Sequence, residues 1–463
     1  MTKYDAILVG SGQAANPLAK KLAAAGWKTA LIERHWVGGT CVNVGCTPTK
    51  TLIASGRLAY LVKRSADFGI RTTGFAVDVE TFLRRKNSIV LASRDSSTKS
   101  LHNTAHLDLI FGDASFIGPK ELTVTQADGS SETITADHIF LNTGTRSFIP
   151  PIPGLGDIPF LTSDSILDLP VIPDHLAIIG GSYIALEFGQ LYRRLGSRVT
   201  IIEHGDQFLP KEDDDIAAEI RQILEADGIQ IHTATRVVGI TTAGDGIGLE
   251  LEKPVPGGVS SRIALTASHV LLASGRTADT AGLHPAAAGI RLDEHGFIAV
   301  NGRLETNVPG IFALGDVKGG PQFTHVSWND HMIVYKNLIE KAKLSIDGRP
   351  ALYCLFTDPE LGRVGLTEKE ARAKGLHIKV ATIPASYVAR AGENGETRGL
   401  LKVIVDADDR KILGAAMLIT GGGELMSVVQ MAMTGGVTYD TVRDGMYAHP
   451  TFAESLNNLF AKL

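Results

Sequence analysis

A glycine turn between apolar strands occurs twice in this chain, each time followed at one spacing by an acid. No other feature restricts the fold as much. The first copy is an apolar strand over 4–9, the turn Gly10-Ser11-Gly12-Gln13-Ala14-Ala15, a helical stretch from Leu18 to Ala25, and a strand from Thr29 to Ile32 that ends on Glu33. The second is a strand from His175 to Ile179, the turn Gly180-Gly181-Ser182-Tyr183-Ile184-Ala185, a helix from Leu186 to Leu195, and a strand from Arg198 to Ile202 that ends on Glu203. The leading glycines lie 170 residues apart, and each acid follows its glycine by 23. This is the dinucleotide-binding fingerprint in its G-x-G-x-x-A form. Gly10 permits the tight turn, Gly12 lets backbone approach a pyrophosphate, and Ala15 lets the helix pack on the strand. The helix N-terminus then holds phosphate charge, and Glu33 can accept from ribose hydroxyls. In the second copy Ser182 replaces the middle glycine, so closest backbone approach is less assured there.

A further repeat supports two related units. Asp137-His138-Ile139-Phe140-Leu141-Asn142-Thr143-Gly144 parallels Ser268-His269-Val270-Leu271-Leu272-Ala273-Ser274-Gly275. Both read as buried strands closing a nucleotide-binding unit. Ile311 to Ala313 reads as another strand, leading into Gly315-Asp316. The 463 residues suggest about three domains on the usual size scale. Fifty glycines are an excess, gathered at strand ends where nucleotide sites need them. A net charge of −5 argues against a nucleic-acid partner. No stretch approaches the ~20 apolar residues of a membrane span. The first residues lead straight into a strand, unlike a secretory signal. The expectation is a cytoplasmic protein with no membrane partner.

Only three cysteines occur, and two of them, Cys41 and Cys46, fall five apart in Gly38-Gly39-Thr40-Cys41-Val42-Asn43-Val44-Gly45-Cys46-Thr47-Pro48-Thr49-Lys50. A metal site wants four ligands, usually from two close pairs, and there is no second pair, so no metal is expected. Cys354, in an apolar stretch, reads as core. A structural disulfide does not suit a chain so poor in cysteine. The remaining reading is a redox dithiol. Gly38, Gly39 and Thr40 put Cys41 near a helix start, where the dipole favours a thiolate. Cys46 and Lys50 share a face at helical spacing.

With these motifs in order, and with His449-Pro450-Thr451-Phe452-Ala453-Glu454 near the end, the chain resembles the pyridine nucleotide-disulfide oxidoreductases over its whole length. The resemblance implies an α/β fold with two Rossmann-like dinucleotide-binding domains and a C-terminal α+β dimerisation domain. The FAD domain would span 1–148 and 277–344, the NAD(P) domain 149–276, and the dimerisation domain 345–463. It implies FAD, NADH (with NADPH possible) and a homodimer. Segments 45–52, 322–330 and 454–460 are most similar to the branch of reactive-chlorine-resistance oxidoreductases, also described as hypothiocyanous acid reductases. Mercuric reductase is the nearest alternative, and the expected cysteine pair is missing from the last residues. Dihydrolipoamide dehydrogenase follows. Glutathione reductase wants an arginine near Glu203 or His204. A flavin-based redox sensor is the non-enzymatic alternative.

The same resemblance implies roles for individual residues. Cys46 would face the flavin and Cys41 would attack substrate. Lys50 would lie near the flavin and pair with Glu187. His449 would move protons and Glu454 would orient it, with Pro450 at the first helical position. The other subunit would supply this pair. Tyr183 would cover the flavin and move aside for nicotinamide. Thr40, Gly112, Thr143, Gly144 and Asp316 match FAD-contacting positions, and Gly180, Ser182, Glu203, Gly275 and Arg276 complete the cofactor set. Glu203 favours NADH, because a carboxylate accepts from a ribose 2′-hydroxyl and repels a 2′-phosphate. Substrate contacts are placed no more closely than the vicinity of Arg390 and the stretch before Arg398.

Overall fold

In the computed structural model, which describes residues 1–254, 258 and 260–463, the chain builds three sheets of consequence. The first has parallel strands in the order Leu107–Phe111, Thr29–Glu33, Thr2–Val9, Ser131–Leu141, with Ile311–Ala313 paired to the far end of the last. Strands Glu121–Thr125 and Asp113–Gly118 continue it antiparallel. Buried on both faces, the central strands are runs of Ile, Leu, Val and Ala rather than alternating sequences. Register then decides what meets at the carboxyl edge. Val9 pairs with Ile32 and with Leu141, Glu33 with Phe111, and Ala313 with Leu141. Gly10, Glu33, Gly112, Thr143 and Asp316 therefore emerge along one edge, although they are scattered through the sequence.

The second unit repeats this plan. Its parallel strands run Ile229–His232, Arg198–Ile202, His175–Ile179, His269–Leu272. An antiparallel meander, Arg236–Ala243, Gly246–Lys253 and Ser261–Ala267, precedes the last of them. The chain leaves the first unit through Thr145–Ser147 and returns through Arg276–Ala278, and these two short strands pair antiparallel. The third sheet is wholly antiparallel, in the order Leu352–Leu355, Glu360–Gly365, Ile412–Ile419, Leu400–Asp406, Ile378–Pro384. Helix Gly422–Thr434 packs on it, with Leu425, Met426 and Val429 buried in its core. The two Rossmann-like units and the α+β third unit are the fold class that the sequence implied. Among the described residues no helix is long and apolar enough to cross a membrane.

The helices of the two turns begin earlier than hydrophobic periodicity indicates, at Ala15 and Tyr183 instead of Leu18 and Leu186. The first turns carry small or cavity-facing residues, so they lack an apolar signal.

Candidate active site

The carboxyl edge of the first sheet opens into a cavity of about 1020 Å³. This is at the upper limit of small-molecule pockets, ~300–1,000 Å³, and suits a dinucleotide. Its lining includes Gly10, Gly12, Glu33, Thr40, Gly112, Thr143, Gly144, Arg276 and Asp316, together with both Cys41 and Cys46. Three observations fit a bound cofactor. A Cβ on Gly12 would lie 2.7 Å from Asn142 Oδ1, and one on Gly39 would lie 2.8 Å from Gly12 Cα, so the cradle excludes side chains. Gly10 has φ +89°, which L side chains rarely adopt. The Thr143 hydroxyl is buried at the cavity with no partner in the protein, and a cofactor would satisfy it. Glu33 Oε2 accepts from Ser11 N (2.9 Å) and Ser11 Oγ (2.6 Å), which fixes the carboxylate behind the turn. Burial pushes the Asp316 carboxyl up.

Asn142, to which sequence reasoning gave no role, explains the difference between the two turns. Its Oδ1 accepts from Ala15 N at 3.2 Å, at the helix start, and its Nδ2 donates to Leu314 O at 2.8 Å. The amide fills the space beside Gly12. At the matching position the second unit has Ala273, and Ser182 there is exposed at the N-cap. A missing amide thus makes room for the serine. Gly180 keeps the tight approach, since a Cβ on it would meet Ala273 O at 2.3 Å. Glu203 ends its strand with Oε1 accepting from Gly205 N at 2.6 Å and lying 3.0 Å from His204 Nδ1. Gly275 has φ +112°, and Arg276 after it donates to the Thr145 hydroxyl (2.8 Å) and carbonyl (2.7 Å), clasping the link between units.

The two cysteines lie on different helices. Cys41 is inside the five-residue turn Gly39–Asn43, whereas Cys46 is the first residue of the 18-residue helix Cys46–Lys63. Cys41 does lie near a helix start, but that helix is a single turn, and the longer one begins on Cys46. The Cys46 thiol is pushed down to about 6, chiefly by its hydrogen bond with Cys41, with Thr324 and the Lys50 charge opposing burial. That same hydrogen bond and burial hold the Cys41 thiol well above its ordinary range. Cys46 Sγ lies 3.5 Å from Thr324 Oγ1, at the start of helix Thr324–Leu338. Asn43 clamps the turn, donating to the carbonyls of Val37 (3.1 Å) and Gly39 (2.9 Å) and accepting from Arg94 Nε (2.8 Å).

Lys50 Nζ donates to Glu187 Oε2 at 2.6 Å. Glu187 is 4% exposed and also accepts from Phe356 N at 3.0 Å, so one carboxylate ties the cysteine helix to the second unit and to the third. Tyr183 lines the cavity, and burial pushes its phenol up to about 12. Cys354 is a correction: it is only partly buried and lines the same cavity, where burial raises its thiol. The flanking apolar residues suggested core because its strand edges that wall.

His449 Nδ1 lies 2.9 Å from Glu454 Oε2, and the histidine side chain is 71% exposed. Neither residue lines the cavity of its own chain. Pro450 does not open a helix, which corrects the expectation that it takes the first helical position. The helix is Ser455–Phe460, and Glu454 is its N-cap, because the preceding turn carries His449 back toward Glu454. Arg398 pairs with Asp227 at 2.6 Å and Arg390 with Glu393 at 3.2 Å, both outside the cavity. His325 is an imidazole that lines the cavity from within the chain. Its Nε2 donates to Leu352 O at 2.8 Å, and burial holds its pKa below the ordinary value.

Comparison with known proteins sets this geometry in context. The family described as pyridine nucleotide-disulphide oxidoreductase matches residues 4–330, and its dimerisation domain matches residues 352–460. The probable pyridine nucleotide-disulfide oxidoreductase RclA of Escherichia coli (strain K12) is 39% identical, over 100% of this chain and 99% of the relative. A mercuric reductase of Staphylococcus aureus is 34% identical, over 98% of this chain and 81% of the relative. The solved structure of the HOCl-induced flavoprotein disulfide reductase RclA from Escherichia coli superposes with a TM-score of 0.89 at 38% identity, covering 99% of each chain.

Proposed function

The chain belongs to the pyridine nucleotide-disulphide oxidoreductase family, enzymes that depend on FAD and a pyridine nucleotide, and from that premise we propose that it carries electrons from NADH to the Cys41–Cys46 pair and on to a small oxidised sulfur species such as hypothiocyanous acid. One observation carries this reading. Both thiols, Lys50 and Glu187 share the wall of a cavity whose glycine cradle fits a dinucleotide. The branch is favoured by the full-length likeness to a relative whose structure is described as HOCl-induced.

FAD, when bound, supplies two-electron transfer from a nicotinamide to the Cys41–Cys46 disulfide. The residues of the chain would then work as follows. Gly10, Gly12 and the helix start at Ala15 face the pyrophosphate; Glu33 and Asp316 accept from ribose and ribitol hydroxyls; Thr40, Gly112, Thr143 and Gly144 line the rest. Gly180, Ser182 and Glu203 receive the dinucleotide of the second unit, and Tyr183 covers the nicotinamide side. Gly275 and Arg276 hold the junction. In the reduced pair the proton rests on Cys41 and the charge on Cys46. Cys41 must therefore lose its proton to attack, which calls for a base. His449 of the partner subunit, oriented by Glu454, fits that need in a homodimer. With hypothiocyanous acid, the Cys41 thiolate forms a bond to the oxidised sulfur and hydroxide leaves as water with the proton held by His449. The Cys46 thiolate then displaces thiocyanate and restores the disulfide. Each cycle consumes two electrons and releases thiocyanate and water. The cytoplasm, where thiols stay reduced, suits this chemistry.

A second reading, mercuric ion reduction, rests on the 34% identity to mercuric reductase. NADH oxidation by FAD-loaded protein is to be measured with hypothiocyanite, mercuric ion, glutathione disulfide and lipoamide. The highest kcat/KM is expected with hypothiocyanite. A higher value with mercuric ion would replace the proposal by the second reading, and flavin reduction by NADH with no sustained oxidation in the presence of any of the four acceptors would return the protein to a redox sensor.

A further inference from the structure

Four aromatic rings beside the cavity form a connected set, and of these only Tyr183 has a role above. The ring of Phe323, just before helix Thr324–Leu338, stacks on His325 with centroids 5.4 Å apart and planes 11° apart. It stacks likewise on Tyr353, at 5.6 Å and 9°. Its remaining aromatic neighbour is Tyr183, at 6.0 Å and tilted by 44°.

Both rings stacked on Phe323 are anchored. His325 Nε2 donates to Leu352 O at 2.8 Å. The Tyr353 hydroxyl donates to Glu212, whose carboxylate lies 3.6 Å from Arg363 Nε. Glu212 and Arg363 are 5% and 3% exposed, so this anchor is buried. The contacts pass through all three units. Tyr183 starts a helix of the second unit, Phe323 follows the last strand of the first, and Leu352, Tyr353 and Arg363 belong to the sheet of the third.

We propose that Phe323 is a positioning residue for Tyr183, and that the third unit fixes Phe323 through Tyr353 and His325. The proposal rests on the reading of Tyr183 as the residue covering the nicotinamide side. A ring that leaves the cavity wall to admit nicotinamide gives up its contact with Phe323. That contact favours the covered state, and the covered state does not bind. Apparent affinity falls with the fraction of protein that is competent. Loosening Phe323 therefore tightens nucleotide binding.

The test is calorimetric titration of NAD⁺ into FAD-loaded protein. Phe323→Leu keeps an apolar side chain and loses the ring. It should lower the apparent Kd by roughly two- to tenfold, the scale of one aromatic contact. Tyr353→Phe, which removes the hydroxyl anchor, should shift Kd the same way by less. In a Tyr183→Ala background, Phe323→Leu should add nothing. An unchanged or weaker Kd for Phe323→Leu overturns the proposal. So does an undiminished effect of Phe323→Leu in the Tyr183→Ala background, provided Tyr183→Ala alone shifts Kd; the reading of Tyr183 then survives. A Tyr183→Ala variant with unaltered Kd would remove that reading and the proposal with it.

Discussion

Cys41 and Cys46 are close in sequence but carry opposite electrostatic biases. Cys46 heads the helix Cys46–Lys63, lies 3.5 Å from Thr324 Oγ1 and feels the Lys50 charge. Cys41 sits in a single helical turn and keeps the proton. Gly38-Gly39 marks the helix start before Cys41 in the sequence, whereas the longer helix that begins on Cys46 after Gly45 is legible only in the fold. The Cys46 pKa of about 6 lies below the ordinary ~8.5 of a thiol. A lowered folded-state pKa makes the thiolate a stabilising form that is fully present above the unfolded value and lost as pH falls through the folded one. Reduced, FAD-loaded protein should therefore show a long-wavelength absorption band from the Cys46 thiolate at neutral pH. Acidification through about pH 6 should abolish it. Cys46→Ser should lose the band and keep FAD. Persistence of the band in that variant would mean that another group donates.

At the scale of elements, strand ends carry the chemistry, and Glu203 is the case that can be measured. Its Oε1 is bound by Gly205 N, and a Cβ on Gly181 would meet its Oε2 at 2.8 Å, so the carboxylate is fixed against the second glycine turn. kcat/KM should be higher with NADH than with NADPH, and Glu203→Arg should move the ratio toward NADPH. A wild-type ratio at or below one would sink the assignment. The strands of both units were legible because β-branched and apolar runs end on glycine or an acid, and His175–Ile179 and Arg198–Ile202 lie where the sequence places them. The tolerance of Ser182 was not legible. It depends on Asn142 in one unit and Ala273 in the other, residues that act across the sheet and belong to no local motif. The roles of Asn43 and Thr324 were hidden for the same reason. Each binds groups that only the folded chain brings near. Cys354 misled because an apolar neighbourhood in sequence does not distinguish a core strand from one whose edge forms a cavity wall.

At the scale of the whole molecule, two imidazoles compete to serve Cys41. Within one chain His325 lines the cavity, but its Nε2 is committed to Leu352 O. His449 has a carboxylate partner in Glu454, yet stands exposed and away from its own chain's cavity. A pair built as acid–base machinery but presented outward makes sense if the dimerisation domain over 352–460 carries it to a second copy. His449→Ala should then fold, bind FAD and take electrons from NADH, but turn over its acceptor ~10²–10⁴-fold more slowly, the usual cost of a lost acid–base group. Cys41→Ser should be inactive for a different reason, on the other side of the same site. Mixing the two variants and allowing subunits to exchange gives heterodimers in which one site combines an intact Cys41 with an intact His449, while the other site has lost both. Those heterodimers should recover up to half of the wild-type activity per dimer. Heterodimers verified by co-purification of two tags, with activity no greater than either parent, would place the whole site in one chain. The base would then come from the same chain, and a His325→Ala variant, expected in the first case to shift nucleotide Kd but not acceptor turnover, would carry the catalytic loss if His325 were that base.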